Sequence, residues 1–205
     1  MNNIECMIND FTEIKGYAEN YLRYISELIK KVDTNAIASF VEELEKARKN
    51  ENITFFIGNG GSAATASHMA NDFGIGSCVA QNEKPYRVLA LTDNMAKMTA
   101  IANDYGYDKV FVEQLKMHYK PGDKLVAISA SGNSANIIAA AEWVKKRKGT
   151  VIGLVGFDGG KLKYICDIVI HIATRKGEYG PVEDVHAILG HLIYTWLRSK
   201  KGKHE

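Results

Sequence analysis

From residue 53 onward the chain alternates short apolar runs with helical or turn-rich stretches, and this alternation restricts its fold more than any other feature. The runs cover 53–57, 86–91, 124–128, 151–155 and 168–172. Each is apolar without strict alternation, the pattern of strands covered on both faces. Strands separated by helices make right-handed crossovers in a parallel sheet. The expected fold is α/β, a single doubly wound sheet of five parallel strands. Ahead of it, Ile4, Met7, Phe11, Ile14 and Tyr17, then Leu22, Ile25, Leu28, Ile29 and Val32, recur at helical spacing. Phe40, Val41 and Leu44 resume that spacing after Asp33-Thr34-Asn35. This predicts an arm of two amphipathic helices over 1–50, Thr34 or Asn35 capping the second, followed by an α/β core over 51–205.

A length of 205 residues suits one domain. No linker, low-complexity tract or repeat divides it, and Pro85, Pro121 and Pro181 all fall at predicted loop positions. A net charge of +2 with interspersed signs gives no field for a nucleic-acid partner. The basic cluster Arg198-Ser199-Lys200-Lys201-Gly202-Lys203 reads as a solvated helix end. No apolar run approaches the ~20 residues of a membrane span, and the N-terminus lacks the charge and apolar pattern of a signal peptide. Cys6, Cys78 and Cys166 sit outside disulfide-framework or metal spacings, so reduced thiols and a cytoplasmic location are expected.

Ligands of open parallel sheets bind beyond the carboxyl ends of the strands. Two loops stand out there. Gly58-Asn59-Gly60-Gly61-Ser62 follows the first strand and leads into a helix over 63–73. Ser129-Ala130-Ser131-Gly132-Asn133-Ser134 follows the third and leads into a helix over 135–146. A helix N-terminus offers unpaired N–H donors and the positive end of a dipole, glycines let backbone approach closely, and serines add donors. Neither loop is a Walker loop or a dinucleotide fingerprint. A small phosphate ester is the expected ligand; tight turns and helix caps are the alternative use of the same residues.

His68 and Asp72, four apart on the first of these helices, share one stripe. They can share a metal or a proton, or make a surface hydrogen bond. The last predicted helix carries Glu183, Asp184, His186 and His191 beside an apolar face of Val185, Ile188, Leu189, Leu192 and Trp196. His118, His171 and His204 read as helix-end, core-edge and tail histidines. Tyr105-Gly106-Tyr107 reads as a turn with aromatic packing, placed near enough to the second strand's loop to touch a substrate.

The segments Gly58-Asn59-Gly60-Gly61-Ser62-Ala63-Ala64 and Ile128-Ser129-Ala130-Ser131-Gly132-Asn133-Ser134, with Ala100-Ile101-Ala102-Asn103-Asp104 between them, closely resemble the sugar isomerase (SIS) domain family. They look most like its phosphoheptose isomerase branch, which converts sedoheptulose 7-phosphate to D-glycero-D-manno-heptose 7-phosphate. The resemblance implies a flavodoxin-like fold and an aldose-ketose isomerase working through an enediol. It implies that Ser62, Ser129, Ser131 and Ser134 bind phosphate, with Asn59 and Asp93 near the sugar and Gly60 and Gly61 among the residues that bind substrate or its phosphate. It also places His68, Asp72, Glu183 and His191 around Zn2+, manganese or iron being alternatives. Asp72 is then the base and His191 the acid.

Four positions depart from the family pattern. Ala130 stands where threonine is frequent, Asp72 is one methylene shorter than the usual glutamate, Glu183 replaces a neutral amide, and Gly76 replaces an arginine. Isomerisation of a different sugar phosphate, or non-catalytic phosphosugar sensing, are the rival expectations; His68 and His191 argue against the second. Glu183 and His191 are about 12 Å apart along an ideal helix. Either Glu183 precedes the helix or neighbouring subunits share a site, so a homotetramer with sites at its interfaces is expected. Asp184, in phase with His191, is the alternative to Glu183.

Overall fold

The computed structural model describes residues 1–76 and 84–199. Cys78, His204 and the tail beyond Ser199 lie outside them. Three helices open the chain: α1 (Asn3–Asp10), α2 (Ile14–Ile29) and α3 (Thr34–Lys49). Then come β1 (Ile53–Ile57), α4 (Gly60–Asn71), a π turn (Asp72–Gly76) and β2 (Arg87–Ala90). α5 (Met95–Tyr105), a 3-10 turn (Tyr107–Lys109) and α6 (Val110–His118) lead to β3 (Lys124–Ser129). α7 (Ala135–Lys145), β4 (Thr150–Phe157), α8 (Leu162–Ile165), β5 (Ile168–Ala173) and α9 (Tyr179–Ser199) complete it.

The arm is three helices, not two. α1 is started by a capping box between Asn2 and Glu5, and the chain leaves helical geometry at Phe11. The cap of α3 is Asp33, whose carboxylate accepts from the Asn35 N–H at 2.8 Å, one residue ahead of the expected position. The arm docks on the start of α9. Glu178, only 1% exposed, accepts from the Asn3 N–H at 2.6 Å and from the Tyr24 hydroxyl. Burial and this carboxylate push Tyr24 up to about 12. The Tyr21 hydroxyl donates to Asp184 at 2.6 Å.

All strand pairs are parallel, in the order β2-β1-β3-β4-β5. Successive residues serve opposite faces: Phe56, Val126, Ile128, Ile152 and Leu154 pack with α2, α3, α4 and α9, whereas Phe55, Ile57, Leu125, Ala127 and Val151 pack with α5, α6, α7 and α8. The order reverses between β1 and β3. The crevice for a ligand therefore opens where the loops leaving those two strands separate.

Among the described residues, no helix is long and apolar enough to cross a membrane. Cys6 and Cys166 are free, and burial pushes the Cys166 thiol up to about 12, the behaviour of an inert packed thiol.

His186 is fully buried in α9, and neither ring nitrogen has a hydrogen-bond partner. Burial depresses it to about 4. The folded value lies below the ordinary one, so the unfolded chain takes up a proton that the folded chain refuses. Stability is complete above about pH 6.5 and falls as pH drops toward 4. Urea unfolding between pH 7 and 4 should show this loss, and His186→Leu should flatten it; an equally steep loss in that variant would assign the acid sensitivity to other groups.

Candidate active site

The first loop is built around a carboxylate from another helix. α4 starts straight after Asn59, which makes no side-chain cap. Its first turn is approached by the Glu183 carboxylate, which lies against Gly61. The approach is close enough that a Cβ on Gly61 would lie 2.2 Å from Glu183 Oε2. Burial, then the neighbouring Asp184, raises Glu183 above the usual carboxylate range. Glu183 thus lies inside α9, not before it. The positive end of α4 already faces an anion of its own chain.

The second loop is differently arranged. Ser129 is buried, and its Oγ accepts from the Gly132 N–H at 3.1 Å and lies 3.4 Å from Ser134 Oγ. Ser131 Oγ accepts from the Asn133 N–H at 3.2 Å. Ser134 stands at the N-cap of α7, its hydroxyl making no cap bond. The segment after β4 locks this loop from outside: the Leu162 N–H donates to the Gly132 carbonyl at 2.9 Å, and the Lys161 N–H to Asn133 Oδ1 at 3.1 Å. Gly132, at φ +61°, has no room for a side chain, since a Cβ would meet the Gly159 carbonyl oxygen at 2.0 Å. Phe157, buried at the end of β4, holds φ +49°. Strain of that kind persists where surrounding contacts over-determine it.

Asn59 faces the crevice between the loops, paired with Asn136 at 2.8–2.9 Å and accepting from the Tyr107 hydroxyl at 2.9 Å. Gly60 (φ +53°) is exposed beside it. Asp93, exposed beyond β2, accepts from Ser67 and from the Thr92 hydroxyl at 3.2 Å.

Two turns along α4, three of the four expected metal ligands meet. His68 Nε2 lies 3.3 Å from His191 Nε2 and 3.3 Å from Asp72 Oδ2. Their ligand atoms all fall within 4.8 Å of one another. Two imidazole nitrogens facing at that range require a proton or a cation between them, and with a carboxylate they match a zinc site that keeps one position open. Glu183 is not in this group. It sits on Gly61 while His191, eight residues later, sits on His68, so α4 and α9 run side by side in the same direction. Asp184 is bonded to Tyr21 and is not in the group either.

Asn136 was not singled out from sequence. Its only signal there is an amide within the apolar run Ala135-Asn136-Ile137-Ile138-Ala139. Tyr107 reaches the site through Asn59, an acceptor 48 residues away in the chain. His118 contacts Lys97 and His171 contacts the Phe157 carbonyl, both away from the three-residue group.

The SIS domain pattern matches residues 16–156. The chain is 41% identical to a phosphoheptose isomerase of Rhodospirillum rubrum over 138 residues, 67% of this chain and 71% of that protein. Phosphoheptose isomerase 2 of Campylobacter jejuni is 36% identical over 183 residues, 88% of each chain. The structure of a phosphoheptose isomerase from Neisseria gonorrhoeae superposes with a TM-score of 0.79 at 30% identity, covering 91% of this chain and 97% of that one. With that pattern matching more than half of its length and relatives of this identity covering most of it, the chain belongs to the SIS domain family.

Proposed function

We propose that the protein is an aldose-ketose isomerase that converts sedoheptulose 7-phosphate to D-glycero-D-manno-heptose 7-phosphate. The observation that carries this is the serine loop and the His68, Asp72 and His191 group in one chain whose relatives are phosphoheptose isomerases over most of their length.

Phosphate belongs to the second loop in this reading. Glu183 covers the start of α4, whereas Ser134 leaves the start of α7 without a side-chain cap and brings its hydroxyl beside Ser129. Ser131 and the first turn of α7 supply the remaining donors. Ser62, buried under Glu183, shapes the first loop, and Asn59, Gly60, Gly61 and Asp93 border the sugar.

His68, Asp72 and His191 would hold a divalent ion, zinc by their donor chemistry. When bound, that ion supplies Lewis-acid polarisation of the substrate carbonyl. Asp72 turns Oδ2 toward His68 and Oδ1 toward the Asn71 amide at 3.2 Å. Oδ1, which is not turned toward His68, is the atom that moves the proton between C1 and C2, and His191 relays protons between the two oxygens where its Nε2 is not given to the ion. Holding the phosphate end fixes which carbons reach them.

Both histidines are exposed on one chain, and Ile188, Leu192 and Trp196 beside His191 on α9 are exposed as well. An apolar face of that kind bordering the cluster supports an interface between copies of this chain at the site, and we take the assembly to be a homotetramer.

Purified protein given sedoheptulose 7-phosphate should form the aldose product, and a panel of 5- and 6-phosphates should react poorly; a preference for one of those would replace the substrate. Ser131→Ala with Ser134→Ala should weaken sugar-phosphate binding by about 1–3 kcal/mol. Unchanged affinity in the folded double variant would return the phosphate to the first loop. Elemental analysis should find about one divalent ion per chain, and chelation should lower both the melting temperature and turnover. Full activity and unchanged melting without metal would reduce the three residues to an acid/base cluster.

A further inference from the structure

An asparagine at a helix N-cap ordinarily accepts from the first turn. Asn59 holds that position on α4 and makes no such bond, and the Glu183 carboxylate lies against Gly61 in the same turn. Its amide turns across the crevice instead. Nδ2 donates to Asn136 Oδ1 at 2.9 Å, and Oδ1 accepts from Asn136 Nδ2 at 2.8 Å and from the Tyr107 hydroxyl at 2.9 Å.

The two ends of an amide are told apart by their partners, and here one partner is unambiguous. The Ile137 backbone N–H, which can only donate and is shared with the Ser134 carbonyl at 3.1 Å, reaches Asn136 at 3.0 Å, too near for a second donor. The atom it reaches is therefore the Asn136 oxygen. The Asn59 atom facing that oxygen must be nitrogen, and the Asn59 atom facing Tyr107 must be the oxygen. Tyr107 then has to donate. With two donors on Oδ1 and one N–H given to Asn136, the Asn59 side chain has a single N–H left for a ligand.

We infer that Asn136 and Tyr107 are positioning residues, which hold the Asn59 amide as a donor only, aimed at an acceptor oxygen of the open-chain sugar phosphate. The ligand chemistry is a hydroxyl oxygen of the sugar between its phosphate and the reacting carbons. A donor fixed in advance holds such an oxygen, and with it the reacting end of the chain, without reorganising, whereas a flipped amide would set oxygen against oxygen. The placement supports this: β1 and β3 are neighbours, α4 and α7 leave them on opposite faces of the sheet, and the amide pair joins the two helix starts across the reversal point. Asn136 is only 2% exposed, and an amide buried that deeply among alanine and isoleucine is costly unless its bonds are made. Tyr107 is 56% exposed, so its hydroxyl can be removed without opening the core.

The inference rests on the isomerase reading for the name of the ligand, and a double-mutant cycle tests it separately. Tyr107→Phe, Asn59→Ala and the pair are compared for kcat and KM on sedoheptulose 7-phosphate, with inhibition by inorganic phosphate measured alongside. Tyr107→Phe should lower kcat roughly tenfold, the scale of one lost hydrogen bond, and leave phosphate inhibition unchanged. Added to Asn59→Ala it should cost nothing further, because Tyr107 acts through that amide. An unchanged kcat in Tyr107→Phe, losses that multiply in the pair, or phosphate inhibition that weakens in step would each overturn the inference. If the unmodified protein binds the sugar phosphate without turning it over, the isomerase reading falls alone. The same cycle is then read in affinity for sedoheptulose 7-phosphate relative to inorganic phosphate, with the same pattern required.

Discussion

The site depends on two helices, α4 and α9, lying side by side in the same direction on one face of the sheet. Their contact sets Glu183 on Gly61 at one end and His191 on His68 two turns later. Neither helix could carry the arrangement alone. α9 is held there by Val182, Val185, Leu189, Ile193 and Leu197, all buried against the sheet and against Met69 and Phe73. Side chains of this size contribute about 1.5–3 kcal/mol each when fully buried, so the register of the two helices is fixed by the core and not by the polar groups it displays. The absence of a side chain at Gly61 is what lets the helices come this near at the loop end.

The N-terminal arm has a place in the same scheme. Its contacts concentrate on the start of α9, where Glu178 receives Asn3 and Tyr24 and Asp184 receives Tyr21. These bonds join residues more than 150 positions apart in the chain. They fix the first turn of the helix that supplies Glu183, and so couple the arm to the loop on which that carboxylate lies.

Much of this architecture was legible in the sequence. The run at 53–57 coincides with β1, and all five strands appear where apolar runs predicted them. Local signals failed where local chemistry was ambiguous. The helical spacing passes through Phe11, yet the chain turns there, and Asp33 captured the cap that Thr34 and Asn35 also advertised. β4 runs two residues past its predicted end because Gly156 and Phe157 pair with Ile172 and Ala173 of β5, a partnership the sequence of β4 alone does not encode. At the site, the stripe of His68 and Asp72 was readable from a four-residue spacing. The meeting of that stripe with His191, and the separation of Glu183 from it, follow from the packing of α4 on α9, which no spacing within either helix encodes. Asn136 was invisible for a related reason, since its partners come from the β1 loop and from its own backbone.

The interlock around Gly132 bears on how such a protein can be altered. Gly132 and Gly159 touch backbone to backbone, Gly160 fits under Ser131 so closely that a Cβ would lie 2.5 Å from its carbonyl oxygen, and Asn133 is tied to the Lys161 N–H. Residues 129–134 and 157–161 are thus one cassette written in two pieces of sequence. A serine loop grafted from a relative without its matching β4 segment would arrive with the right hydroxyls and nothing to hold them, whereas exchange of both pieces together would carry the recognition surface intact. Recombination between such chains is therefore constrained to crossover points that fall before residue 129 or after residue 161, a boundary that follows from three glycines.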